Sequence, residues 1–538
     1  MKPLILLAAG TIALFGAAIA KDSAPADEKV GMAPDQTSNF FKPQESVTTG
    51  MVTVEGTSVS YQAVAGTLVI HAKDYDDVTA DADKAKETKD NPAEASMFYV
   101  AYLRRGGDQG NRPITFLFNG GPGSSTVWLH MGAFGPKRVV TADDSHTPAA
   151  PYKVVNNDYS LLDASDLVFV DAPGTGFSRI AGKDKEKAFY GVDVDAHAFT
   201  EFVTAFLSKY NRWNSPKYLF GESYGTPRAS VVAYDLQSDK SIDLNGVILL
   251  SQILNFDLSV DGPDNNPGMD LPYEVAFPTY AATALYHRKV PGSINDLQKV
   301  TQAAEQFAMT DYARALSVGS SLSPQQKLAI ANRIHGFTGL PVSYILKANL
   351  RIDGGEFEKM LQDDQGMTTG RLDTRFSGPT IDPLSKEADY DPQSAAISSA
   401  YVSAFNDYVR RGLNFGQDMT YRPEIDVFKW WEFKHQQPGA GFAFPGSTNV
   451  MPDIATAMKT NPQLKVMVNG GYFDLATPYY EGWYEMHHLP IPDKLADNIT
   501  YRYYPSGHMV YAHEESLKAL HDNVAAFIRS TATPAAAH

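Results

Sequence analysis

The sequence predicts an α/β fold: a mostly parallel central sheet flanked by helices, with a helical insertion late in the chain. Three observations support this. Short apolar runs at 114–118, 166–170, 218–220, 246–250 and 465–468 alternate with longer stretches of helical pattern, as in sheets buried on both faces and joined by crossover helices. Several runs end in glycine-rich loops, Asn119-Gly120-Gly121-Pro122-Gly123, Ala172-Pro173-Gly174-Thr175-Gly176 and Asn469-Gly470-Gly471, and the carboxyl ends of parallel strands are where such sheets carry their sites. From about 255 to 447 the buried-strand signal gives way to helical segments.

Taken in order, the chain opens with Lys2, an apolar run over 4–18 and the small-residue end Ala18-Ile19-Ala20, the pattern of a secretory signal cleaved after Ala20. Because that run is too short to span a bilayer and is followed by Lys21-Asp22-Ser23, a membrane anchor is not expected. Residues 21–45 read as a flexible leader. Strands are expected at 52–54 and 67–70, broken by Glu55-Gly56 as in a hairpin. An Asp/Lys-dense loop over 73–94 precedes a further strand at 96–103. Helices are expected at 192–210 and after Pro227. In the insertion they are expected at 273–290, 297–315, 324–335 and 396–411, and an amphipathic helix over 514–530 closes the fold. The expected division is a signal at 1–20, leader at 21–45, core at 46–255, helical cap at 256–447, core again at 448–532 and a tail at 533–538.

Composition narrows the function classes. The chain has 538 residues, 43% of them hydrophobic, enough for a sizeable core, and a net charge of −16. Nucleic acid and anionic lipid are poor partners for such a chain. With no cysteine, thiol catalysis, iron–sulfur clusters and cysteine-based zinc sites are excluded. No phosphate-binding Gly-x-x-x-x-Gly-Lys pattern and no His-Glu-x-x-His is present, so neither a nucleotide cofactor nor a catalytic metal is expected.

The chemistry gathers at Gly221-Glu222-Ser223-Tyr224-Gly225, set between an apolar strand and a helical segment. This is the context of a nucleophile elbow, with Ser223 as nucleophile. The loop after 114–118 could supply backbone N–H groups for an oxyanion hole, as in α/β hydrolases. An elbow serine needs a histidine base and an acid to orient it, on loops after late strands in the order Ser, Asp, His. Asp474 follows the strand at 465–469 and His508 the strand at 500–504. The competing histidines are His513 and His521, expected on the closing helix, and His487-His488, which follow a Trp/Tyr-rich segment.

Together with Asn119 to Ser125, Asp171 to Ser178, Gly471 to Asp474 with Pro478, and Gly507-His508, the elbow resembles the serine carboxypeptidases, a family with the α/β-hydrolase fold. The resemblance covers about 95–255 and 460–530 and suggests a bacterial-type, exported member without cysteines. It implies Ser223, Asp474 and His508 as the triad and the backbone N–H groups of Gly121 and Tyr224 as the oxyanion hole. It also implies that Asn119 and Glu222 bind the substrate's terminal carboxylate, which Glu222 can do only when protonated.

Two positions depart from the family. Leu117 stands where a tryptophan is usual, and Ala133 where a second glutamate is usual, so a shared-proton acid pair cannot form. His130, Lys137 and Arg138 are the nearby candidates for a replacement cation. The expected function is an exported, periplasmic or secreted, hydrolase releasing C-terminal residues from peptides. The alternatives are an esterase, an acyltransferase or a peptidase indifferent to a free carboxylate on the same triad, and a binding protein on an inactive scaffold. Side-chain preferences are expected to come from 256–447.

Overall fold

The computed structural model describes residues 40–73, 75, 91–106, 110–443 and 448–532. The signal expected at 1–20, most of the leader, most of the 73–94 loop and the 533–538 tail lie outside the described residues.

The sheet begins with a hairpin, β1 (Glu45–Val54) and β2 (Thr57–His71). Glu55 and Gly56 turn with φ of +46° and +81°, the left-handed pair that suits the twist of a two-residue hairpin. β3 (Glu94–Arg104) pairs antiparallel with β2. Next come β4 (Ile114–Phe118), β5 (Asp166–Val170), β6 (Lys217–Glu222), β7 (Gly246–Leu250), β8 (Lys465–Gly471) and β9 (Ile499–Tyr504). The spatial order is β1-β2-β3-β5-β4-β6-β7-β8-β9, antiparallel as far as β5 and parallel from β5 to β9. A short strand, Arg179–Ala181, also pairs with β3. Since β5 lies on one side of β4 and β6 on the other, the carboxyl ends of β4 and β6 flank the point where the strand order reverses.

Side chains alternate between the two faces as the pleat requires. Phe116, Phe118 and Leu219 join the core beneath α1 (Val192–Lys209) and α2 (Gly225–Ser238). Leu117, Tyr218 and Phe220 join the opposite core. Every residue of β4, β5, β6 and β7 is buried, which explains their continuous apolar runs. Truncating one such aromatic, Phe116→Ala, is expected to cost about 3–5 kcal/mol in lost burial and cavity formation.

The helical segment carries α3 (Leu271–Tyr286), α4 (Leu297–Phe307), α5 (Pro324–Thr338), α6 (Gly354–Met360) and α7 (Pro392–Arg411). Phe277, Tyr280, Phe307, Tyr312 and Phe357 form a core of their own there. α5 shows why its ends fall where they do. Ser323 and Gln326 form a capping box, Pro324 opens the helix, and Gly339 closes it at φ +69°. The single helix expected at 297–315 is instead broken by a π-helical turn, Ala308–Tyr312, before Ala313–Val318. α8 (Met451–Thr460), α9 (Tyr479–His487) and the closing α10 (Glu514–Ala532) complete the molecule. Among the described residues no helix is long and apolar enough to cross a membrane.

Candidate active site

Ser223 is the first residue after β6 and sits at φ +60°, a left-handed conformation that costs a non-glycine residue of order 1–3 kcal/mol. The surrounding structure holds it there. Its N–H donates to the Leu250 carbonyl at 3.0 Å, and its own carbonyl accepts from the Thr226 N–H at 2.7 Å. The flanking glycines are required by close approach. A Cβ on Gly221 would lie 2.0 Å from the Gly225 carbonyl oxygen, and one on Gly225 would lie 2.8 Å from that of Phe118. A Cβ on Gly120 would likewise lie 2.3 Å from the Tyr224 nitrogen, so the glycine-rich loop presses on the elbow. Among the described residues, no backbone carbonyl is paired with the N–H of Gly121 or Tyr224.

The loops after β8 and β9 bring Asp474 and His508 together. The fully buried Asp474 accepts from His508 Nδ1 at 2.8 Å through Oδ2 and from the Thr477 hydroxyl at 2.8 Å. Its Oδ1 accepts from the N–H groups of Ala476 and Thr477 at 2.9 and 3.0 Å. Burial by itself would lower the His508 pKa, but the charge and hydrogen bond of Asp474 outweigh it and raise it above the usual histidine value. Ser223 and His508 line one cavity of about 730 Å³, together with Asn119, Gly121 and Glu222.

Asn119 and Glu222 are hydrogen-bonded to each other, Asn119 Nδ2 donating to Glu222 Oε2 at 2.8 Å. The Tyr511 hydroxyl donates to both carboxylate oxygens of Glu222, at 3.0 and 2.9 Å. Burial pushes the Glu222 carboxyl up to about 7, against the pull of His508 and of the hydrogen bonds from Tyr511 and Asn119. Tyr511 thus provides a second partner for Glu222, where Ala133 offers no polar atom. Gly132 makes room for it, since a Cβ there would lie 2.6 Å from the Tyr511 ring.

The replacement cations expected near Ala133 are not found in that role. His130 is buried and stacked on Phe169, is hydrogen-bonded to the Tyr102 hydroxyl, and has its pKa lowered by burial to about 3, so it is neutral. Arg138 pairs with Glu514 at 2.6 Å. Lys137 does not line the cavity. Leu117 is simply a core residue. Of the competing histidines, His521 lies on α10 and is paired with Asp163 and Asp522, whereas His513 precedes that helix and bonds the Ser516 hydroxyl. Glu55, His521 and Asp522 are close enough to share a metal ion, but the carboxylates of Glu55 and Asp522 are already paired with Lys518.

Several supporting residues escaped the sequence reading. The buried Arg228 donates to both oxygens of Asp195 on α1, at 2.6 and 3.2 Å, and to the Asn119 carbonyl at 2.6 Å, locking the glycine-rich loop onto two helices. An arginine among small apolar residues on a buried helix was the available signal. Asp171 holds the same loop from β5, accepting from the N–H and the hydroxyl of Thr126, both at 2.8 Å.

Two straps from the helical region cross these loops. In the first, the carbonyls of Arg371 and Leu372 accept from the N–H groups of Leu475 and His508 at 3.1 and 2.7 Å. Asp373 also accepts from Gly507 N–H at 3.1 Å. In the second, Ser125 N–H donates to the Pro423 carbonyl and Ile425 N–H to the Gly123 carbonyl, both at 2.9 Å.

Residues 87–265 match the family described as serine carboxypeptidase. The chain is 30% identical over 158 residues to carboxypeptidase Y homolog A of Trichophyton verrucosum, covering 29% of this chain and 26% of that protein. It is 33% identical over 141 residues to the pheromone-processing carboxypeptidase KEX1 of Yarrowia lipolytica, covering 26% and 21%. It therefore spans about a quarter of the length of these curated relatives. Both are fungal proteins, and the expectation of a bacterial-type member is not borne out. In fold it is similar to the prohormone-processing carboxypeptidase Kex1p of Saccharomyces cerevisiae, with a TM-score of 0.52 at 15% identity over 87% of this chain and 92% of that one. The matched segment contains Asn119, Glu222 and Ser223 but ends before Asp474 and His508. On these matches residues 87–265 are similar to the serine carboxypeptidases, the family the motifs resemble, and the chain has an α/β-hydrolase fold with a mostly parallel mixed sheet.

Proposed function

We propose that this protein is an exported serine carboxypeptidase-like hydrolase that releases C-terminal residues from peptides through an acyl-enzyme. Ser223 attacks the scissile carbonyl, and His508 takes the hydroxyl proton and returns it to the leaving amine. Asp474 holds the imidazole with Nδ1 protonated, and the N–H groups of Gly121 and Tyr224 receive the developing oxyanion. A water then repeats the attack on the ester and frees Ser223. Export rests on the signal pattern of residues 1–20.

The observation that carries this reading is Glu222. A buried carboxyl directly before the nucleophile, bonded to Asn119 and Tyr511 and raised to about 7, can hold a proton and donate it in a hydrogen bond to a substrate's terminal carboxylate. The test is hydrolysis of one N-blocked dipeptide, as the free acid and as its C-terminal amide, from pH 4 to 8, with Ser223→Ala as control. Strong preference for the free acid, abolished in the control, supports the carboxypeptidase. Equal or faster cleavage of the amide would move the assignment to an esterase, an acyltransferase or a peptidase indifferent to the terminal carboxylate, a reading favoured by the absence of a second acid at Ala133.

A further inference from the structure

Thr477 surrounds Asp474 and His508 with three contacts, yet no step of the proposed reaction uses it. It is buried, three residues beyond Asp474 and two before α9, and Pro478 keeps helical backbone from reaching back to it. Its N–H donates to Asp474 Oδ1 at 3.0 Å and its hydroxyl to Oδ2 at 2.8 Å. The hydroxyl oxygen also lies 3.1 Å from His508 Nδ1. With Ala476 N–H on Oδ1 and His508 Nδ1 on Oδ2, the carboxylate meets a donor at each of its roughly four lone-pair positions.

The direction of these bonds carries information. A hydroxyl has one hydrogen, and an ionised carboxylate has none to offer in return, so the hydrogen lies between Thr477 Oγ1 and Asp474 Oδ2. The hydroxyl oxygen therefore turns a lone pair toward His508 Nδ1. Both atoms that face Nδ1 are then acceptors, and a bare nitrogen would be repelled by each of them. Nδ1 must carry a hydrogen, shared between Oδ2 and Oγ1 in a three-centre bond. The free lone pair of the neutral imidazole is left on Nε2, the nitrogen that takes a serine proton.

We propose that Thr477 is a positioning residue for the reaction of Ser223: its hydroxyl fixes the tautomer of His508 jointly with Asp474 and keeps the Asp474 carboxylate from turning about its Cβ–Cγ bond. The role rests on the hydrolase reading above. Without the hydroxyl, Oδ2 is left with a buried lone pair that no group meets, and the imidazole loses its second acceptor. The remaining donor, His508 itself, is the group whose orientation has to be fixed. Because Thr477 is uncharged, removing its hydroxyl leaves the charges that bear on His508, those of Asp474, Glu222 and Arg371, as they were.

The test uses the whole protein and two variants. Thr477→Val keeps the shape and loses the hydroxyl, and Thr477→Ser keeps the hydroxyl and loses the methyl. Two rates are read. One is peptide hydrolysis; the other is labelling by diisopropyl fluorophosphate, in which the Ser223 oxygen bonds phosphorus, fluoride leaves and the hydroxyl proton passes to His508. Thr477→Val is expected to lower kcat and the labelling rate together by about tenfold with KM little changed, and Thr477→Ser to recover most of both. The Nδ1 proton, read as a low-field magnetic resonance, is expected to hold its position in Thr477→Ser and to move in Thr477→Val. Labelling unchanged in Thr477→Val, a Thr477→Ser protein as slow as Thr477→Val, or a resonance indifferent to the hydroxyl would overturn the proposal. Should Thr477→Val fail to fold, the unmutated protein decides: a low-field Nδ1 proton with an Overhauser contact to the Thr477 methyl upholds the assignment, and its absence overturns it. Slowed labelling in Thr477→Val with no peptide hydrolysed by any form leaves the positioning role standing and the peptidase reading fallen. Peptide hydrolysis with labelling indifferent to the hydroxyl does the reverse.

Discussion

Two sets of loops meet at the cavity. Those at the strand ends present side chains: Asn119 after β4, Ser223 after β6, Asp474 after β8 and His508 after β9. The straps at 371–375 and 422–425, from the helical region, present mainly carbonyls to those loops. On the proposed mechanism one set serves chemistry and the other position. The consequence for mutation is a separation of readouts, since changes in the first set should remove activity at little cost in stability, and changes in the second should unfold the site.

The largest effect is expected from Ser223→Ala, which should lower kcat by about 10⁴-fold or more with the melting temperature nearly unchanged. Retained turnover in a steady-state assay would remove Ser223 from the mechanism. Asp474→Asn is expected to cost about 10³–10⁴-fold, because the histidine loses the partner that fixes its tautomer.

The strap is probed with Asp373→Asn. The buried Asp373 accepts from Arg375 at 2.6 Å as well as from Gly507, so the change leaves the buried guanidinium with Asp143 as its one anionic partner among the described residues and should cost about 1–3 kcal/mol in denaturant unfolding. Unaltered stability with lost turnover would erase the distinction between the two sets.

Glu222 sharpens the comparison through pH. On the proposed reading it is protonated below about 7 and donates to an incoming carboxylate, and above that two anions face each other. KM for a free-acid peptide should therefore rise as pH rises through 7, by about tenfold per unit beyond it, and KM for the amide should not. Glu222→Gln, which keeps a donor at every pH, should remove this alkaline limb. The smallest expected effect belongs to Tyr511→Phe. Its hydroxyl stabilises the charged form of Glu222, so its loss should move the limb upward by about half to one pH unit. A downward shift would mean that Tyr511 favours the protonated acid.

The same division governs what was legible in the sequence. The elbow, the glycine-rich loop, Asp474 and His508 could be read because a tight turn demands glycine at fixed spacing and the fold fixes the order of its partners. The strands at 114–118 and 246–250 could be read because burial on both faces leaves a continuous apolar run. Arg371, Leu372, Pro423 and Ile425 reach those loops through backbone atoms, which every residue carries, and so leave no pattern. Tyr511 reaches Glu222 from 289 positions away, a contact that no local periodicity encodes. The π turn at Ala308–Tyr312 was equally invisible, since its composition is that of an ordinary helix.

The first strap also has a kinetic meaning. The bond from His508 N–H to the Leu372 carbonyl joins residues 136 positions apart, and closing so long a loop carries an entropic cost that local structure does not offset. The loop that carries His508 is placed only once β9 has paired with β8, so the histidine is set in position after that part of the sheet. In refolding from denaturant, recovery of hydrolysis is expected to lag recovery of the far-ultraviolet signal. Synchronous recovery would mean that the strap docks with the sheet. A lag would mean that a nascent chain has no working site until its last long-range contacts close.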